Sequence, residues 1–340
     1  MAKRRNARKA KKKSKPKGPT QAQVVKYRAP SMPLARISRR DVELVCGVND
    51  PFCEAAKTAK IMDNSGVRTL NYPLHVRYAL NSNADGAGCY AFLPQYTNAP
   101  FIKGTVTGSD LTTVVFGGVF TSGNRIQNVS GYRINSGGFI LRNQTAPLYS
   151  SGMVHVRGYN LSDNATWATP GVYVDAIGYN CDFSLDIPLQ DVREVAIVLA
   201  RTSPQSVLFR NVEAPAADIE TWVSPGWGLV TVAYTGVPVS TTPLDVEIFM
   251  NYELIFKESE TTALLASPAP RSSPVLKEAA DYVSSSMGNV FIKGVKQATD
   301  WTINAATKAI GGFISSRLGL GPGVGASMAG TMVRGTYEVD

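Results

Sequence analysis

"LDVEIFMNYELIFK", Leu244–Lys257, is the stretch on which the fold turns. Leu244, Val246, Ile248, Met250, Tyr252, Leu254 and Phe256 fall on one side of an extended chain. Asp245, Glu247, Asn251, Glu253 and Lys257 fall on the other. Strict period-two alternation over this length marks a strand with one buried face, because a helix would scatter the same residues around its axis.

The signature recurs toward the N-terminus. "GLVTVAYTG" (228–236), "SVLFRNV" (206–212), "EVAIVLAR" (194–201), "GMVHVRGY" (152–159) and "GYRINSGGFILR" (131–142) all read as strands. "PLHVRYAL" (73–80) sets Val76, Tyr78 and Leu80 on one face and His75 and Arg77 on the other. "GCYAFLP" (88–94) follows after the turn "NSNADGA" (81–87), so these two runs are predicted to form a hairpin. The loops are rich in Gly, Pro, Ser and Thr, and no helical pattern alternates with the strands. The expectation is an all-β chain: a single jelly-roll sandwich of about eight antiparallel strands.

Beyond Pro268, Pro270 and Pro274 the period changes. Apolar or small residues at Leu276, Ala280, Val283, Met287, Val290, Phe291, Val295, Ala298, Trp301, Ala305, Ile310, Phe313, Ile314 and Leu318 recur at three- and four-residue steps. That spacing predicts an amphipathic C-terminal helix. Lys293, Lys296, Lys308 and Arg317 lie on its polar face. Such a helix either packs beneath the sheet or a neighbouring subunit, or leaves the protein for a bilayer interface. "GLGPGVGASMAGTMV" follows, small and apolar, with too much Gly and Pro for a stable helix.

The other end is a polycation. "MAKRRNARKAKKKSKPKG" holds ten Lys or Arg in eighteen residues. Fifteen of the 35 basic residues precede Asp41, with no acidic residue among them. The remaining 300 residues carry 20 basic against 26 acidic, a net charge of −6. A like-charged block with few apolar residues cannot bury enough surface to offset ordering entropy, so the arm is expected to be disordered when free. Lys3, Arg4, Arg5, Arg8, Lys9, Lys11, Lys12, Lys13, Lys15 and Lys17 suit phosphate neutralisation with counterion release, which is nucleic-acid binding without sequence preference. An import signal and a solvated tail fit the same composition. The division expected is a basic arm (1–40), a sandwich domain (41–262), and a linker, helix and small-residue tail (263–340).

Several chemistries are missing from the sequence. The arm offers no apolar h-region, which sets the expectation against a secretory signal. "VAIVLA" (195–200) is too short to span a bilayer. Cys46, Cys53, Cys89 and Cys181 form no C-x-x-C pair and read as small buried thiols. The two histidines, His75 and His155, each sit on the polar side of a strand, and no hydrolase, phosphate-loop or metalloprotease motif occurs. Between Arg157 and Arg193 the chain carries Asp163, Asp175, Asp182, Asp186 and Asp191 without a basic residue. Such hard oxygen donors suit calcium at a subunit interface, and a solvated acidic surface fits equally.

Taken together, the arm, the strand-rich body and the amphipathic tail resemble the coat proteins of small icosahedral positive-strand RNA viruses, in the noda-like and tombus-like group of invertebrate viruses. The likeness rests on "DPFCEAAKTAKIMDNSGVRTL" (50–70), "SGGFILRNQTAPLYSSGMVHVRGY" (136–159) and "VEIFMNYELIF" (246–256). It implies a structural protein that joins many copies of itself in a T=3-like shell. Its arm would point inward onto genomic single-stranded RNA. The chain would be found in the virion and, during assembly, in the host-cell cytoplasm. The tail would meet the host membrane on entry.

The resemblance also implies a single-turnover self-cleavage at Asn304–Ala305, in "TINAATKAIGGFISSRLGLGPGVGASMAG". There the Asn side-chain nitrogen attacks its own backbone carbonyl and closes a succinimide. Asp63, downstream of Cys53, matches the carboxyl that moves the protons. Two other function classes compete: a non-viral β-sandwich nucleic-acid-binding protein with a basic tail, and a β-sandwich hydrolase or lectin.

Overall fold

The computed structural model describes residues 39–92, 94, 101–107, 110–115, 128–159, 181–199, 201–211, 226–257, 261–271, 273–287, 291–293 and 303–310. All of them belong to one unit, Ile37–Asp340. The strands are β1 (Arg68–Leu80), β2 (Gly88–Phe92), β3 (Phe101–Thr107), β4 (Asp110–Val115), β5 (Val129–Asn143), β6 (Met153–Tyr159), β7 (Phe183–Pro188), β8 (Val195–Val198), β9 (Arg210–Asn211), β10 (Leu229–Thr235), β11 (Leu244–Phe256), β12 (Ser267–Pro268) and β13 (Phe291–Lys293). The helices are α1 (Arg39–Gly47), α2 (Pro274–Met287) and α3 (303–310).

Two antiparallel sheets face each other. The first runs β12-β1-β11-β5-β8-β13, with β9 also on β5, and the second runs β4-β3-β2-β10-β6-β7. The chain crosses from β1 to β2, from β4 to β5, from β5 to β6, from β7 to β8 and from β10 to β11, each time changing sheet. This is the jelly-roll path that the alternation predicts. Leu244, Val246, Ile248 and Met250 are fully buried between the sheets, and Tyr252 continues the same buried row. Phe92 of β2 meets Phe139 of β5 across the gap, with ring centroids 5.0 Å apart.

Three expectations are corrected. The runs at 73–80 and 88–94 form no hairpin: β1 pairs with β11 and β12, whereas β2 pairs with β10 and β3. The turn between them carries the chain from one sheet to the other. Gly86 takes a positive φ of 67° there, and a Cβ on it would lie 2.2 Å from the Val237 carbonyl oxygen. The run 206–212 is a 3-10 turn (Pro204–Val207) followed by the two-residue β9. The tail is not one continuous helix, because β13 pairs with β8 between α2 and α3.

Candidate functional site

The polar side of β11 does not face water. Asp245, Asn251 and Glu253 are all buried. A layer built from both ends of the unit covers this face of the first sheet. Val42, Val45 and Cys46 of α1 and Ile61 and Met62 of the following segment cluster with Ala279, Ala280 and Val283 of α2 and with Ala306, Ala309 and Ile310 of α3. The bare backbone at Gly138 permits the close approach. A Cβ there would lie 2.6 Å from the Ile197 carbonyl oxygen and 2.8 Å from Pro51.

Covering a charged strand face requires that every charge find a partner. β5 supplies it. The register between β5 and β11 shifts at Asn251/Tyr252, so Asn135 is the extra residue of a bulge. Arg133, 3% exposed, lies just before it. Its Nε donates to Glu253 Oε2 at 2.8 Å and its Nη2 to Glu253 Oε1 at 2.9 Å, a bidentate pair. Nη2 also donates to the Ile61 carbonyl at 2.9 Å, and Nη1 pairs with Asp63 at 2.6 Å. Glu253 further accepts from Thr69 Oγ1 at 2.5 Å and from the Ile61 amide at 3.3 Å. Lys60 closes the edge by donating to the Thr69 and Ser267 carbonyls, each at 2.6 Å.

Asp63 is therefore held by Arg133. Its Oδ1 also accepts from the Ser65 amide at 3.1 Å and the Ser65 hydroxyl at 2.8 Å. Burial alone would raise its pKa, but the hydrogen bonds from Ser65 and the Arg133 guanidinium more than reverse this and leave it below the usual value. Asn304 is exposed in α3, while Ala305 is half-buried. Among the described residues no hydrogen bond joins Asn304 to Asp63. Cutting the Asn304–Ala305 bond would sever α3 within its hydrogen-bonded turns, so that turn must open for the two ends to part.

The other predicted positions separate. Lys3, Arg4, Arg5, Arg8, Lys9, Lys11, Lys12, Lys13, Lys15 and Lys17 lie outside the described residues, as do Asp163 and Asp175. Asp186 accepts from Arg157 Nη2 at 2.7 Å and contacts His155 Nδ1 at 2.6 Å. Asp182 begins the approach to β7 and Asp191 sits in the 3-10 turn after it. Among the described residues no group of three His, Cys, Asp or Glu side chains converges as a metal site. His75 stacks on Phe249 at 4.4 Å and meets Glu247 at 2.5 Å, so each histidine contacts a carboxylate of a neighbouring strand. The four cysteines are free thiols, and three of them are buried. No described helix is long and apolar enough to cross a membrane.

Sequence reasoning missed Arg133, Glu253 and the share of α1 in the covering layer, although a tail helix packed beneath the sheet was one of its two readings. The available signal was the apolar stripe at Leu276, Ala280 and Val283, which needed a surface to cover.

No protein-family profile and no curated protein matches the chain in sequence. Solved structures do superpose on it. The chain of the T13 infectious bursal disease virus particle is 10% identical, with 78% of this chain and 98% of that one covered and a TM-score of 0.55. The fold is that of a viral capsid protein. The D431N mutant VP2 of the same virus, in T=1 particles, is 12% identical and gives a TM-score of 0.53 over 79% of this chain and 98% of that one. A further T=1 particle structure of that virus is 12% identical, with a TM-score of 0.52 over 76% and 95% of the two chains.

Proposed function

We propose that this chain is a viral coat protein that assembles with many copies of itself into a T=3-like icosahedral shell and packages single-stranded RNA through its basic arm. The observation that carries this reading is the joining of a capsid-type jelly roll to ten Lys or Arg within the first eighteen residues. Symmetric contacts between sandwiches set the shell, while many weak phosphate contacts gather the RNA. The working division is arm (1–40), shell domain (41–262) and tail (263–340), with the tail engaging the host membrane on entry. The chain is placed in the virion, after assembly in the host-cell cytoplasm.

Expression of the full chain alone, nuclease treatment, sedimentation and negative-stain microscopy test this. Uniform shells holding protected RNA are expected; a monomer at both low and physiological salt overturns it.

Self-cleavage at Asn304–Ala305, with Asp63 as the carboxyl, is the one reaction in this reading. It is supported by the packing of Ile61 and Met62, which precede Asp63, in the same cluster as Ile303, Ala305 and Ala306. Assembly would have to open α3 for it. Aged, purified particles should lose the intact 36.5 kDa chain and Asn304→Ala particles should keep it. Intact mass spectra that show only the full chain in both reject the reaction.

A further inference from the structure

A groove of about 760 Å³ lies at the end of the first sheet where β1 and β5 begin and β11 finishes. Val67, Ile255 and Phe256 line it and are each half-buried. Leu264, in the 3-10 turn Thr261–Leu265, lines it too and is 78% exposed, and the adjoining Leu265 is 72% exposed. Two adjacent leucines left in water at an open apolar groove mark a surface that another segment covers. Arg68 and Lys257 add two cations, and none of the described lining residues is acidic. Arg68 is exposed and forms no ion pair among the described residues.

The lining asks for one occupant that carries carboxylates and apolar side chains side by side. Nucleic acid supplies the charge but no aliphatic group to cover Leu264 and Ile255. The sequence beyond α3 supplies both. Residues 311–340 contain two acidic residues, Glu338 and Asp340, and both fall in the run Tyr337-Glu338-Val339-Asp340. In an extended chain Tyr337 and Val339 share one side, while Glu338 and Asp340 share the other. Reach is ample. The 26 residues between Ile310 and Tyr337 can span up to about 90 Å. The start is also close, because α3 packs with Ile61 and Met62, and Lys60 just before them donates to Ser267, next to Ala266 of the groove. Exposed ion pairs are weak, so a free peptide of this kind binds poorly. A tether raises its local concentration to the order of millimolar, which favours the seated state.

We infer that this groove is the docking site for the chain's own segment Tyr337–Asp340, with Tyr337 and Val339 against Leu264, Ile255 and Phe256, and with Glu338 and Asp340 facing Arg68 and Lys257. Peptide grooves commonly work this way, with pockets for alternate side chains of an extended segment. The inference goes beyond the coat reading: it ties the far end of the tail back to the sandwich of the same subunit.

Disulfide trapping in the full chain tests this. Leu264→Cys with Val339→Cys brings two thiols together when the segment is seated. Cys46, Cys53 and Cys89 are buried, so under oxidised glutathione the new pair reacts ahead of them. Peptide mapping should find the link within one chain. It should form at least about tenfold faster than the link between Leu148→Cys and Val339→Cys. Leu148 is 85% exposed and follows β5, at the other end of the sheet, so it reports random encounter. Arg68→Glu should slow the first link severalfold, and adding Glu338→Arg should restore it, which local unfolding around Arg68 would not allow. Equal trapping at the two ends, a link found only between chains, or an unchanged rate in Arg68→Glu overturns the inference. A chain that forms no shells can still show the link, and shells can form without it, so the docking and the coat reading fail separately.

Discussion

Arg133 and Glu253 are two charges on neighbouring strands, sealed under a helical layer. Removing one leaves the other unpaired in a low-dielectric place, which costs about 3–5 kcal/mol. Urea unfolding of Arg133→Ala should show a loss of that size, and the double replacement Arg133→Met with Glu253→Leu should recover most of it. Asp63 adds a pH dependence. Its folded pKa lies below its unfolded value, so its contribution is complete at neutral pH. That contribution fades only as pH falls below about 4, through the folded pKa. The stability gap between the native chain and Asp63→Asn should therefore be full at pH 7 and close on strong acidification. A gap that grows toward low pH would show that the Asp63–Arg133 pair is not the source.

Single elements show what the sequence makes legible and what it hides. β11 is readable because all its even-numbered residues serve one core, and pairwise packing enforces the period. Its charged odd-numbered residues look solvated in the sequence, yet Glu253 is fully buried. Burial there is decided by α2 and by Ile61 and Met62, which come from distant parts of the chain; the strand's own marks of it are Phe249 and Ile255 on the charged face. The β1–β2 turn reads as a hairpin because turn chemistry reports a reversal, not the sheet that the chain enters next. The tail's three- and four-residue steps predict α2 correctly but pass over β13, since Phe291–Lys293 is three residues long and its state is set by pairing with β8. The β5 glycines are local in sequence and global in effect. Gly138→Val should force β8 or Pro51 outward and cost about 1–3 kcal/mol. Hydrogen exchange should then quicken at Val195–Val198; unchanged exchange would mean the covering segment yields freely.

At the scale of the whole molecule, charge and fold are carried by separate parts of the chain. Residues after Arg40 have a net charge of −6, so the polyanion has no broad electrostatic reason to bind the sandwich. Deleting residues 2–30 should leave shell formation intact and reduce the RNA per particle. It should also flatten the salt dependence of RNA binding by about 0.7 in logarithmic slope for each phosphate no longer neutralised. Truncated shells that package RNA normally would move the binding function into the sandwich. The order of the first sheet has a consequence in time. β11 lies between β1 and β5, and the Thr69–Glu253 hydrogen bond joins residues 184 positions apart. A growing chain that has not yet reached Phe256 holds a slot one strand wide in the middle of that sheet. The first sheet can close only after Phe256 has been made, so a chain interrupted before that point has no finished sandwich.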